Sequence, residues 1–124
     1  ITGHLLDGAL GMLDACKVKK KNIHILRVPG SFEIPFGCFS LLKKKRYHAL
    51  IALGCIIKGE TNHNIYIASA VSQGIMNLSL KYQTPISFGV VTADNLAQAE
   101  ARSTGETNRG KDAALAAVLM AMLG

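Results

Sequence analysis

The run Ala49-Leu50-Ile51-Ala52-Leu53-Gly54-Cys55-Ile56-Ile57 constrains the fold more than any other feature of this chain. Nine residues pass without a polar side chain. That is a strand's length, and a strand without polar alternation is covered on both faces, as in a parallel sheet held between helices. The run ends in Lys58-Gly59-Glu60-Thr61-Asn62-His63, and a helical pattern follows at once. Ile65, Ala68, Val71, Ile75, Leu78 and Tyr82 mark one face of it.

The flanking segments repeat the alternation. Leu5, Leu6, Ala9, Leu10 and Leu13 predict an amphipathic helix over residues 2 to 15. Ile23 to Val28 reads as a short strand stopping at Pro29-Gly30, and residues 35 to 45 as a helix with Pro35 in its tolerant first turn. Ile86 to Val91 reads as a strand opened by Pro85. Asn95 to Arg102 predicts a short helix and Lys111 to Leu123 a final one. Strands alternating with helices imply parallel β-α-β units in one layered α/β domain over residues 1–124. Such a pattern normally opens on a strand, so a first strand is expected to be missing from these residues or supplied from elsewhere.

Composition excludes several classes. A chain 49% hydrophobic and 18% charged is not a disordered one. The longest apolar run, Ala113 to Leu123, has eleven residues, too few to cross a bilayer. Cys16, Cys38 and Cys55 form no Cys-x-x-Cys pair, which fits a reducing, cytoplasmic setting. The four histidines lack ligand spacing, so no metal site is expected. Fourteen basic against eight acidic residues leave a formal charge of +6, concentrated in Lys17 to Lys21 and Lys43 to Arg46. Both clusters fall where a helical pattern ends, where cations meet the negative end of the helix dipole. No aromatic residues interleave them, so they read as solvated helix ends rather than a nucleic-acid surface.

In an open parallel sheet, ligands bind beyond the carboxyl ends of the strands. Three unusual segments fall there: Pro29-Gly30-Ser31-Phe32-Glu33, Lys58 to His63, and Thr92-Ala93-Asp94. Gly59 permits a sharp exit from the strand, and Thr61 is a suitable cap for the next helix. Free N–H groups at a helix start suit phosphate, yet an ordinary capped turn fits equally well. His63 could exchange protons with a ligand there, or simply be a surface residue. Phe32 and Glu33 suit a planar, nitrogen-rich ring, the aromatic face stacking and the carboxylate accepting N–H bonds. Equally, Phe32 could pack in the core and Glu33 begin a helix. Phe88 could wall the same pocket or fill the core. Arg102 could grip a phosphate bidentately or stay solvated.

Taken in order, "VPGSFEIP" (28–35), "ALGCIIKGETNH" (52–63) and "ISFGVVTADNLAQAEAR" (86–102) resemble the 6,7-dimethyl-8-ribityllumazine synthases. The likeness covers nearly the whole chain, including the apolar C-terminal helix after Asn108-Arg109-Gly110. It implies a flavodoxin-like three-layer α/β/α sandwich with a central parallel sheet. It also implies the penultimate step of riboflavin synthesis: 5-amino-6-(D-ribitylamino)uracil condenses with 3,4-dihydroxy-2-butanone 4-phosphate, releasing phosphate and water. No metal or organic cofactor takes part.

The resemblance assigns roles. Ser31, Phe32 and Glu33 would hold the ribitylaminouracil, Cys55, Ile56 and Ile57 would line the strand end beneath it, and Phe88 would be the aromatic wall. Glu60 and Thr61 would receive the phosphate through backbone groups, Arg102 would grip it, and His63 would transfer protons. Family members are homopentamers, some built into hollow icosahedral shells, with sites between subunits. Phe88 and Arg102 are expected to face the partner's ribityl-binding residues. Three departures stand out. Asn64 and Ile65 follow the histidine where the family usually has an aromatic and an acidic residue. The loop from Ser103 to Gly110 is one residue short, with Arg109 in place of its last lysine. Nothing corresponds to the aromatic residue of the family's first strand. A homologue that binds lumazine or flavin, or forms shells, without catalysis is the alternative these departures leave open.

Overall fold

In a computed structural model that describes residues 1–123, the apolar run becomes β1 (Leu50–Ile57). It pairs in parallel with β2 (Ile86–Ala93), Leu50 opposite Ile86 and Ile57 opposite Ala93. The second strand runs two residues past the expected Val91, because Thr92 and Ala93 find partners in Ile56 and Ile57.

Alternation along the strands sends side chains into two separate cores. Leu50, Ala52, Ile56 and Val90 meet α2 (Ile34–Lys44) and α3 (His63–Tyr82) through Ile34, Cys38, Leu42, Val71 and Ile75. Burial pushes the Cys38 thiol up to about 11, so it stays neutral and packs as a small hydrophobe. On the opposite face lie α1 (Thr2–Ala15) and α5 (Arg109–Ala121), with the short α4 (Leu96–Ala101) at one end. Leu5 is fully buried there against Val91, Ala93 and Ala99, and Ala9 and Leu13 pack on Ala114. Helices on both faces of a parallel sheet make the layered α/β fold expected from the sequence.

The helix ends follow local chemistry. Pro35 stands at the start of α2, where its missing N–H costs nothing. Gln83, left-handed at φ 51°, ends α3, and Thr84 N then donates to Ser79 O at 3.1 Å. The final helix starts two residues before the expected Lys111, because the Asn108 side chain accepts from Gly110 N and Lys111 N.

One expectation needs correcting: Ile23–Val28 is not a strand. Its backbone is extended at Ile23 (φ −109°, ψ 119°), and Val28 rests against the α2 core. Among the described residues, however, β1 has β2 as its sole ladder partner, so residues 23–28 have no neighbouring strand to bond with. β propensity alone does not make a strand; a hydrogen-bonded partner does.

Candidate active site

The Pro-Gly turn feeds a single 3₁₀ turn, Ser31–Glu33, which lies on the carboxyl-terminal half of β1. Gly54 permits this approach. A Cβ at that position would stand 2.7 Å from Ser31 Oγ and 2.9 Å from Ile34 Cδ1. Seated there, Ser31 Oγ donates to the Cys55 carbonyl at 3.4 Å. Phe32 is 62% exposed, so it is not a core residue, and Glu33 beside it is exposed as well.

The strand-end residues divide their side chains. Ile56 enters the α2/α3 core, whereas Cys55 packs against the Leu5 cluster, where burial raises its thiol pKa. Ile57, 39% exposed, presents its side chain to solvent. Ile56 is therefore buried away from the strand end, whereas Cys55 is only half-buried.

Past Ile57, Lys58 N donates to Ala93 O at 2.8 Å and closes the ladder. The chain then turns through exposed Gly59, Glu60, Thr61 and Asn62 into α3. Thr61 Oγ1 accepts from His63 N at 3.3 Å, although the cap position itself belongs to Asn62, whose side chain makes no cap bond. His63 is exposed in the first turn of a 20-residue helix. The open turn, the positive helix end and the imidazole thus follow directly on the carboxyl end of β1.

A second cluster gathers along the free edge of β2. Asn95 caps α4 by accepting from Gln98 N at 2.9 Å, and Gln98 Oε1 accepts from Asp94 N at 2.8 Å. This fixes the short helix so that Arg102, at its end, donates through Nη1 to Thr92 O at 2.5 Å. Arg109 N donates to Arg102 O at 2.8 Å, bringing a second arginine alongside. Phe88, Thr92, Arg102 and Arg109 line an open cleft of about 250 Å³, and Phe88 is 44% exposed, a wall rather than core filling. Two guanidinium groups beside an aromatic face suit a phosphorylated ligand.

The expected residues therefore fall into two groups. Ser31, Phe32, Glu33, Cys55, Ile56, Ile57, Glu60, Thr61 and His63 gather around the end of β1, whereas Phe88 and Arg102 share the β2 cleft. None of the first group lines that cleft. Arg109 was legible in sequence only as the last basic residue of a loop; its place beside Arg102 came from the fold.

The family described as 6,7-dimethyl-8-ribityllumazine synthase matches residues 1–124. The chain belongs to that family. A relative of that name from Parabacteroides distasonis is 45% identical over 121 residues, which is 97% of this chain and 76% of the relative. One from Buchnera aphidicola is 47% identical over 122 residues, covering 97% and 77%. One from Aquifex aeolicus is 44% identical over 124 residues, covering 99% and 80%. The chain is thus an enzyme of the lumazine synthase family, which serves riboflavin biosynthesis. Among the described residues no helix is long and apolar enough to cross a membrane.

Proposed function

We propose that this chain condenses 5-amino-6-(D-ribitylamino)uracil with 3,4-dihydroxy-2-butanone 4-phosphate to give 6,7-dimethyl-8-ribityllumazine, phosphate and water. The division of the site residues into two separate groups is the observation that carries this reading. Phe32 and Glu33, presented to solvent, suit a planar pyrimidine: the ring stacks on the phenyl face and its N–H groups donate to the carboxylate. Arg102 and Arg109 suit the phosphate, with help from the backbone of Glu60 and Thr61 at the positive end of α3. Forming two C–N links releases amine protons, and each linked carbonyl oxygen leaves as water. Loss of phosphate removes the proton from the neighbouring carbon, and the resulting enol becomes the second carbonyl. His63, at the mouth of that helix, is the group placed to take up and return those protons.

In this reading one subunit contributes the pyrimidine-binding group and its neighbour the β2 cleft. The assembly is a homopentamer, alone or built into an icosahedral shell, in the cytoplasm. Exposed apolar side chains support close packing between copies. On α3, Ile65 is 58%, Tyr66 73% and Leu80 70% exposed, and on α5 Leu119 is 58% exposed. The three cysteines are free, as a reducing compartment would leave them.

Mixing the protein with both substrates and following lumazine fluorescence tests the reaction. Product is expected well above the uncatalysed rate, with one phosphate released per lumazine. Tight lumazine binding without turnover would instead establish a non-catalytic homologue.

A further inference from the structure

Asn108 is a polar side chain only 5% exposed, and every hydrogen-bonding position on its amide is used. Nδ2 donates to the carbonyl of His4 at 2.9 Å and to that of Ser103 at 2.7 Å. Oδ1 accepts from Gly110 N at 2.7 Å and from Lys111 N at 3.4 Å. A helix cap needs only the oxygen. The two N–H bonds do something more: they tie the start of α5 to the first helix and to the loop that leaves Arg102. The glycine at position 8 makes room for this, since a Cβ there would stand 2.5 Å from the amide.

This amide lies between the two arginines in sequence. Arg102 immediately precedes Ser103, whose carbonyl Asn108 holds, and Arg109 immediately follows Asn108. The main-chain bond from Arg109 N to Arg102 O, 2.8 Å, closes the same loop. We propose that Asn108 is a positioning residue that sets the spacing of Arg102 and Arg109, and so the shape of the anion cleft along β2. Both arginines are long side chains on the surface, so their geometry depends on where the backbone carrying them is fixed. Ser103 is itself fully buried, which leaves the loop little room to adjust alone.

The inference rests on the proposed reading of the cleft as the phosphate half of the site, and the test separates the two. In Asn108→Ser the hydroxyl keeps the cap acceptor while both amide N–H bonds are lost; Asn108→Asp does the same with a carboxylate. Each is expected to raise KM for the four-carbon phosphate by about ten- to a hundredfold. KM for the pyrimidine and kcat per folded site should stay within about twofold of the parent. A merely structural asparagine would lower the melting temperature and leave both KM values alone, and that result overturns the proposal. Should neither variant assemble, Gly8→Ala, which crowds the amide from α1, replaces them with the same expected split. Arg102→Gln serves as the reference. If it raises the phosphate KM while the Asn108 and Gly8 variants do not, the positioning role alone is overturned. If it leaves that KM unchanged, the cleft is not the phosphate site, and both readings are overturned together.

Discussion

Replacing His63 with alanine is expected to slow lumazine formation by about 10²–10⁴-fold while leaving fold and assembly intact. The separation of the two effects follows from how the residue is held. His63 is exposed, and its bond to Thr61 Oγ1 uses the main-chain N–H that alanine retains. Alanine is also the best helix former, so the first turn of α3 should be stable without the ring, within about 0.5 kcal/mol. Initial rates with both substrates saturating, beside far-UV circular dichroism and the size of the assembly, make the check. Parental turnover in the variant would remove His63 from the mechanism. The Asn64 side chain bears on the same experiment, because its Oδ1 is shielded and has no hydrogen-bond partner among the described residues. That amide oxygen is next to the histidine in sequence, where the family usually carries an aromatic residue.

The second large effect concerns the crossing of α1 and α5. A Cβ on Gly110 would run into the carbonyl group of Leu5, and would lie 2.9 Å from Asn108 Oδ1. The obstacle is main chain, and Leu5 itself is fully buried, so neither side can give without moving a helix. Gly110→Ala is therefore expected to cost about 3 kcal/mol, the upper part of the range for overpacked cores. For a domain of this size that corresponds to a fall of roughly 10 °C in melting temperature. Gly11→Ala provides the contrast: it sits on α1, and nothing lies within 4 Å of its added methyl. There the gain in helix propensity should stand alone, worth up to about 1 kcal/mol. If the two variants melted together, the close crossing would not be the reason for glycine at position 110.

These cases also mark what the sequence makes legible. β1 could be read because it is an apolar run, β2 as a short β-rich segment opened by Pro85, and α1 and α3 because their buried residues recur at helical spacing. Such periodic signals are local. The segment Ile23–Val28 has the composition of a strand, but strand formation depends on a neighbour that composition does not describe. The start of α5 was missed for a related reason. Asn108 looks like an ordinary turn residue, whereas one of its partners, the His4 carbonyl, lies 104 positions away. At the candidate site, the motifs single out the residues on which the proposed reaction rests, including Phe32, His63 and Arg102. Whether Phe32 and Phe88 fill cores or face solvent was undecided until the fold exposed both. The same holds for Cys55 and Ile56, whose side chains turn toward opposite cores, Ile56 buried and Cys55 half-buried.

The most direct measurement mixes two disabled chains. His63→Ala keeps the β2 cleft and loses the proton-transfer group; Arg102→Ala keeps the histidine and weakens the cleft. Co-expressed in equal amounts, they should assemble at random. If each site takes His63 from one copy and Arg102 from its neighbour, about one quarter of the sites contain both residues intact. With the four-carbon phosphate held near the parental KM, lumazine formation should then return to about a quarter of the parental rate, although each variant alone is nearly inactive under that condition. A mixed assembly with no more activity than its parts would contradict a site shared between neighbouring copies.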